Sequence, residues 1–280
     1  VLAAQAKKAI YCEKPMTLTV AEGREMIDAV RKNDVVFQCG TQERHRSDPR
    51  RLAALARMGA LGQIEKVITV VGPHNVTGPG PGWKPMPVPD GFDYARWLGP
   101  APKAEYHLKR CLYAFRFIYD YSGGQVTNLG MHCNDIAQWG LGMDGSGPIE
   151  VEAISAEFLP AGSLFNAALQ TNYRCRYANG VVLESRFDGS CGFGVRFEGT
   201  EGSAQIGFNQ GPQSDPNDLW SMPVDVELGG MNGCATHFAD FIHSVKDHRD
   251  PLCPVETGHS STTLCHLGNI AIWMRDKLKV

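Results

Sequence analysis

Short apolar runs separated by helical periods open the chain, and strand-like alternation takes over past its midpoint. Val1–Ala9 consists of good helix formers without a preceding cap, which predicts a helix already under way. Ala9-Ile10-Tyr11-Cys12 predicts a buried strand that stops at Glu13-Lys14-Pro15, because proline cannot continue a central ladder. Thr19 followed by Glu22 is a capping-box pattern, and Val20, Met26, Ile27 and Val30 keep a helical period up to Asn33-Asp34. Val35–Gly40 reads as the next strand. Two short apolar strands joined by an amphipathic helix predict a β-α-β unit of a parallel sheet. The remainder of that sheet is expected before Val1, in a chain cut inside a domain.

Ser47-Asp48-Pro49 opens a further helix through Met58, closed by Gly59 and Gly62, and Gln63–Gly72 reads as a β-branched strand. Pro73–Pro89 is dense in Pro and Gly; its Gly78-Pro79-Gly80-Pro81-Gly82 has prolines and no following helix, so it is no phosphate-binding glycine loop. Trp83, Lys84 and Trp97 point to an ordered loop near a ligand. A helix is expected from Gln125 to Gly142. From Ile149 to Ile206, turns such as Asn179-Gly180, Asp188-Gly189 and Glu198-Gly199 separate about five strands of a mostly antiparallel sheet. Two helices close the chain, Ala235–Lys246 and Gly258–Lys277, the second with an apolar stripe of Leu264, Leu267, Ile270 and Met274. The pattern is an α/β plus α+β design.

Composition excludes more than it identifies. The 280 residues are 43% hydrophobic and 20% charged, enough to bury a core, and a formal charge of -3 leaves no footprint for nucleic acid. No window approaches the ~18 apolar residues of a bilayer span, and the first thirty residues lack the succession of a secretion signal. Nine cysteines stand singly, without C-x-x-C, which favours a reducing compartment over a disulfide framework. A soluble, cytoplasmic protein is expected.

Candidate chemistry lies in two places. Asn128, His132 and Asp135 are spaced to share one helix face, where a neutral histidine could accept a proton and an acid at i+3 could fix its tautomer. The same three residues also suit a hydrogen-bonded core histidine. Lys14 sits at the end of a buried strand, where open parallel sheets place ligands, although a strand-tip lysine is often a solvated charge. No metal site is expected: His237, His243, His248, His259 and His266, near Cys253 and Cys265, show no paired ligand spacing and read as surface, capping or pocket residues.

Tyr11-Cys12-Glu13-Lys14-Pro15 resembles the E-K-P signature of the Gfo/Idh/MocA family of NAD(P)-dependent oxidoreductases. Further segments agree in order. Gly123-Gly124-Gln125-Val126-Thr127-Asn128-Leu129-Gly130-Met131-His132-Cys133-Asn134-Asp135 resembles the family's G-G-x-x-x-D-x-G-x-H-x-x-D helix, and Val195–Gly202 its G-T-E-G strand turn. His237-Phe238-x-x-Phe241, Pro254-Val255-Glu256-x-Gly258 and His266-Leu267-x-Asn269-x-Ala271 are similar to its last two helices.

The resemblance implies the C-terminal part of a Rossmann domain (residues 1–45) followed by a substrate-binding and oligomerisation α/β domain (46–280) with a mostly antiparallel open sheet. It implies NAD or NADP as cofactor, with Glu13, Lys14 and Pro15 beside the nicotinamide ribose and a cis peptide before Pro15. Lys14 would hold the reacting oxygen and His132 would be the general acid or base. Substrates would be sugars, inositols or related polyols, and the open sheet would make a homodimer or homotetramer. Asn128, Asp135 and Trp83, then Arg116 and Tyr119, are the expected substrate contacts, since aromatics and carboxamides suit a polyhydroxylated ring.

Two departures stand out. Asn128 replaces the family's frequent aspartate, and no G-x-G-x-x-G follows a strand, so these residues alone are expected to bind the dinucleotide poorly. Besides net hydride transfer, two other readings fit: glycosidic-bond cleavage through transient oxidation, and a non-catalytic binding module.

Overall fold

The computed structural model describes residues 1–74, 77–226, 228 and 237–277. Helix α1 (Leu2–Gln5) is shorter than the run of helix formers predicts, because Lys7 turns into the left-handed region (φ 56°) ahead of the first strand. Strand β1 (Ile10–Cys12), helix α2 (Val20–Asn33) and strand β2 (Phe37–Cys39) form the expected β-α-β unit, β1 and β2 pairing in parallel with Ile10 opposite Phe37 and Cys12 opposite Cys39. The capping box is complete: the Glu22 amide donates to Thr19 Oγ1 at 3.2 Å, and the Glu22 carboxylate accepts from the Thr19 amide at 2.9 Å.

Helix α3 (Ser47–Arg57) leads into strand β3 (Ile64–Val71), which joins the second sheet. The segment beyond β3 holds the five-residue helix α4 (Tyr94–Leu98) and short 3-10 turns at 108–110 and 112–117. It packs as a small apolar cluster of its own, with Ala114, Phe117, Ile118, Leu164 and Phe165 buried.

The predicted single helix over 125–142 is two helices, α5 (Gly124–Thr127) and α6 (Leu129–Leu141), broken at Asn128 (φ -82°, ψ -89°). Helix α6 is buried along almost its whole length, between the face of β3 and helix α3.

Strands β4 (Glu150–Glu157), β5 (Gln170–Arg176), β6 (Val182–Phe187), β7 (Gly194–Gly199) and β8 (Ser203–Gly207) are the expected five. A sixth, β9 (Gln210–Asp215), has the sequence QGPQSD, too polar to read as a strand. The sheet order is β4-β5-β6-β3-β7-β8-β9, antiparallel except for the β3–β6 pair. One face packs on α6. The other carries charge pairs, across strands from Arg174 to Glu184 at 3.2 Å and Lys66 to Glu184 at 3.0 Å, and along β7 from Arg196 to Glu198 at 2.8 Å.

Helices α7 (His237–Asp247) and α8 (Val255–Lys277) close the fold; the predicted start of the former at Ala235 lies outside the described residues. The apolar stripe expected on α8 is its buried face only in part: Leu264 is buried at 1%, while Ile270 is 41% and Met274 49% exposed. Around Leu264 the buried face is mostly small and polar, with Gly258, Ser261, Thr262, Cys265, Gly268 and Asn269. Small residues let the helix sit against its neighbours, and a Cβ on Gly258 would stand 2.7 Å from Cys39 Cβ. Met16, Val30, Phe37 and Cys39 of the first unit share one core with Leu52, Val255 and Leu264.

Candidate active site

Lys14 follows β1 at the carboxyl end of the parallel pair, and the Lys14–Pro15 peptide is cis, as the resemblance implies. Its Nζ donates to the backbone carbonyl of Asn128 at 2.5 Å, which ties the strand tip to the head of α6. Burial pushes the Lys14 ammonium below its usual pKa, and the charge of Arg116 lowers it further. Of its three N–H donors only one is accounted for by this bond, so the others can serve a ligand oxygen. Glu13 is exposed and accepts from the Tyr11 hydroxyl at 3.2 Å.

His132 lies one turn into α6, 9% exposed. Its pKa is pushed down to about 3, first by burial and then by the charges of Lys14 and Arg46. The ring is therefore neutral, and its buried Nδ1 has no hydrogen-bond partner among the described residues.

Two expectations about the neighbours of His132 are corrected. Asn128 does not share a helical face with His132; it is the N-cap residue at the break before α6. Its side chain donates to Gln125 Oε1 at 2.8 Å, and its carbonyl is what meets Lys14. The side-chain partners of Asp135 are Arg44 and Ser261, not His132. The carboxylate is fully buried, with its oxygens taken by Arg44 at 2.7 and 2.9 Å and by the Ser261 hydroxyl at 2.6 Å. An ion that far from solvent needs a full set of partners, and Arg44, supplied by the turn after β2, completes it.

Arg116 is within electrostatic reach of Lys14 and lies over the Tyr113 ring at 4.4 Å. Tyr119 lines a cavity of about 500 Å³ with Thr19, Asn166, His266, Asn269 and Trp273. Trp83 is placed elsewhere. It packs on the small apolar cluster, edge-on to His107 at 5.7 Å with Arg110 at 5.4 Å above its ring. The aromatic residue that the same long segment brings toward the chain after Lys14 is Trp97, which lines a cavity with Met16, Thr17, Phe115 and Tyr121. Arg44 is a residue for which sequence spacing carries no signal, since its carboxylate partners lie distant in the chain.

Residues 80–280 match the family model described as an oxidoreductase family C-terminal alpha/beta domain, and residues 1–41 match that of its NAD-binding Rossmann fold. The chain belongs to the Gfo/Idh/MocA oxidoreductase family. An uncharacterized oxidoreductase of Bacillus subtilis, YrbE, is 25% identical over 213 residues, covering 72% of this chain and 49% of the relative. The chain thus spans about half the length of the curated relative it matches. Among solved structures, the Caulobacter crescentus aldose-aldose oxidoreductase complexed with glycerol superposes with a TM-score of 0.67 at 19% identity, covering 98% of this chain and 72% of that one. Levoglucosan dehydrogenase in complex with NADH and L-sorbose gives 0.63 at 18% identity, covering 97% and 73%. This Gfo/Idh/MocA chain shares their fold. Among its described residues no helix is long and apolar enough to cross a membrane, and all eight described cysteines are free thiols.

Proposed function

We propose that the protein containing this chain transfers a hydride between NAD or NADP and a hydroxyl-bearing carbon of a sugar, inositol or related polyol. The observation that carries this reading is the Lys14–Asn128 contact of 2.5 Å, which sets a half-buried ammonium at the head of the helix bearing a neutral His132. A cation and a base held together away from water suit a reaction in which an oxygen gains charge while losing a proton.

The residues present fit the nicotinamide end of such a cofactor. Glu13, Lys14 and Pro15 lie at the carboxyl end of a parallel strand, and Lys14 has donors to spare. A nicotinamide bound there supplies the hydride acceptor or donor. His132 takes the hydroxyl proton at a ring nitrogen, and the Lys14 ammonium stabilises the developing alkoxide. Because Lys14 and burial both disfavour the imidazolium, His132 holds that proton only briefly. Arg116 keeps the site cationic, and Tyr119 with Asn166 offers an aromatic surface and a carboxamide for a polyhydroxylated ring. A homodimer or homotetramer formed through the open sheet is part of the same proposal, as is a domain boundary near residue 45.

Replacing Lys14 with Met in a form of the protein that binds the dinucleotide tests the assignment. Turnover is expected to fall by about 10² to 10⁴-fold with cofactor affinity nearly unchanged. An unchanged rate would remove Lys14 from the chemistry.

A further inference from the structure

The turn after β2, the start of α7 and the segment entering α8 meet at three side chains that the mechanism does not use. One ring nitrogen of His45, one of His237 and the Cys253 Sγ all lie within 4.8 Å of one another. The two imidazoles face each other through Nδ1 atoms 2.9 Å apart. All three groups are nearly closed to solvent, the His45 side chain at 7% exposure, His237 at 5% and Cys253 at 0%. Behind His45, its Nε2 lies 3.4 Å from Oδ2 of Asp240, a fully buried carboxylate whose Oδ1 accepts from Arg249 at 2.8 Å.

The Asp240 carboxylate, 3.4 Å from Nε2 of His45 without the alignment of a hydrogen bond, favours a proton on that nitrogen and leaves a lone pair on Nδ1. A proton on Nδ1 of His237 would then complete an N–H···N bond but leave its Nε2 a bare acceptor, buried without a partner among the described residues. With the proton on Nε2 instead, two lone pairs would face each other at 2.9 Å. With both rings neutral, neither tautomer of His237 satisfies both rings. A cation between the two Nδ1 atoms satisfies the facing pair, and a carboxylate on the far nitrogen is the usual support of a metal-bound histidine.

We propose that His45, His237 and Cys253 bind a divalent transition-metal ion of the zinc type, two imidazole nitrogens and one thiolate with a water completing the tetrahedron. Zinc holds nitrogen at about 2.0–2.1 Å and sulfur at about 2.3 Å, which places tetrahedral ligand atoms about 3.3 to 3.6 Å apart. The nitrogens must part by a few tenths of an ångström and the sulfur must close by roughly 1 Å, adjustments that side-chain rotation provides. On binding, the S–H bond of Cys253 breaks, its proton leaves to solvent and an S–metal bond forms. The thiolate offsets one of the ion's two charges, and the Asp240 carboxylate, shared with Arg249, lies behind His45. The ion would pin the end of the parallel unit to α7 and to the chain entering α8.

The test is cobalt substitution of the whole protein after chelation and dialysis. One Co²⁺ per chain is expected, with the intense visible bands of a tetrahedral ion and a thiolate-to-cobalt charge-transfer band, both displaced by one equivalent of Zn²⁺. Cys253→Ser should abolish the charge-transfer band and weaken Zn²⁺ binding at least tenfold, whereas Cys191→Ser should leave both unchanged. A wild-type spectrum without the sulfur band, or a band that survives Cys253→Ser, would overturn the proposal. If Cys253→Ser does not fold, His237→Ala decides: it should abolish the tetrahedral cobalt spectrum, and a spectrum that survives it would overturn the proposal.

Discussion

Burial decides the chemistry of His132 before any substrate is present. Its folded pKa of about 3 lies below the ~6.5 of an unfolded chain, so the unfolded state binds the extra proton between those values. The stability it contributes is complete above pH 6.5 and drains away as the pH falls toward 3. His132→Gln should therefore flatten the acid loss of stability by up to about 1.4 kcal/mol per pH unit below pH 6 in urea melts. Parallel slopes for wild type and variant would show that the ring is not held neutral. The placement of Lys14 at a strand tip and of His132 on a buried helix was legible in the sequence because their motifs mark them. The role of Asn128 was not, since a backbone carbonyl leaves no trace in residue identity. Asp135 misled for a related reason: spacing shows which residues share a helix face, but not that Arg44, ninety-one positions away, captures the carboxylate.

Periodicity finds helices better than it finds their buried faces, and α8 shows why. Ile270, Trp273 and Met274 are exposed, while Gly258, Gly268, Ser261 and Thr262 face the core beside Leu264. Close approach replaces apolar area there, because a smaller side chain brings the helix backbone nearer to its neighbours. A Cβ on Gly268 would stand 2.6 Å from Tyr173 Cζ, against an aromatic ring that is itself 1% exposed. Gly268→Ala should cost about 1–3 kcal/mol of stability through overpacking, whereas Gly145→Ala, which meets nothing within 4 Å, should be close to neutral. Equal thermal shifts for the two would refute the packing of α8. The break at Asn128 was hidden in the same way: the sequence from Gln125 onward suits one helix, and Lys14 meets the chain where it bends.

The first β-α-β unit and the large sheet are joined by more than a shared core. Arg44, fully buried, reaches Asp135 of α6 and Asp144 just beyond its end, at 2.7 Å each. Removing it leaves Asp135 as a buried charge without its counter-ion, so Arg44→Met is expected to destabilise by about 3–5 kcal/mol, with part of the loss recovered by Asp135→Asn. A cost below 1 kcal/mol would mean that the triad does not hold the two units together. The parallel unit and the run of mostly antiparallel strands followed the sequence, because apolar runs and turn residues announce them; the place of β3 between β6 and β7 did not. Strand β9 did not, since its pairing with β8 is made by the backbone of a polar segment. The charged outer face of the sheet also went unread, and any subunit interface formed there must re-pair Glu184, Lys66, Arg174 and Arg196.

Hydride transfer at Lys14 and His132 is tested most directly by following nicotinamide absorbance in a form of the protein that binds the dinucleotide. A panel of sugars, inositols and glycosides would be offered with excess NAD or NADP. Reduced cofactor should accumulate in step with oxidised polyol for the wild type, and hardly at all for Lys14→Met. Turnover of a glycoside to free sugar without reduced cofactor, or full activity in Lys14→Met, would contradict it.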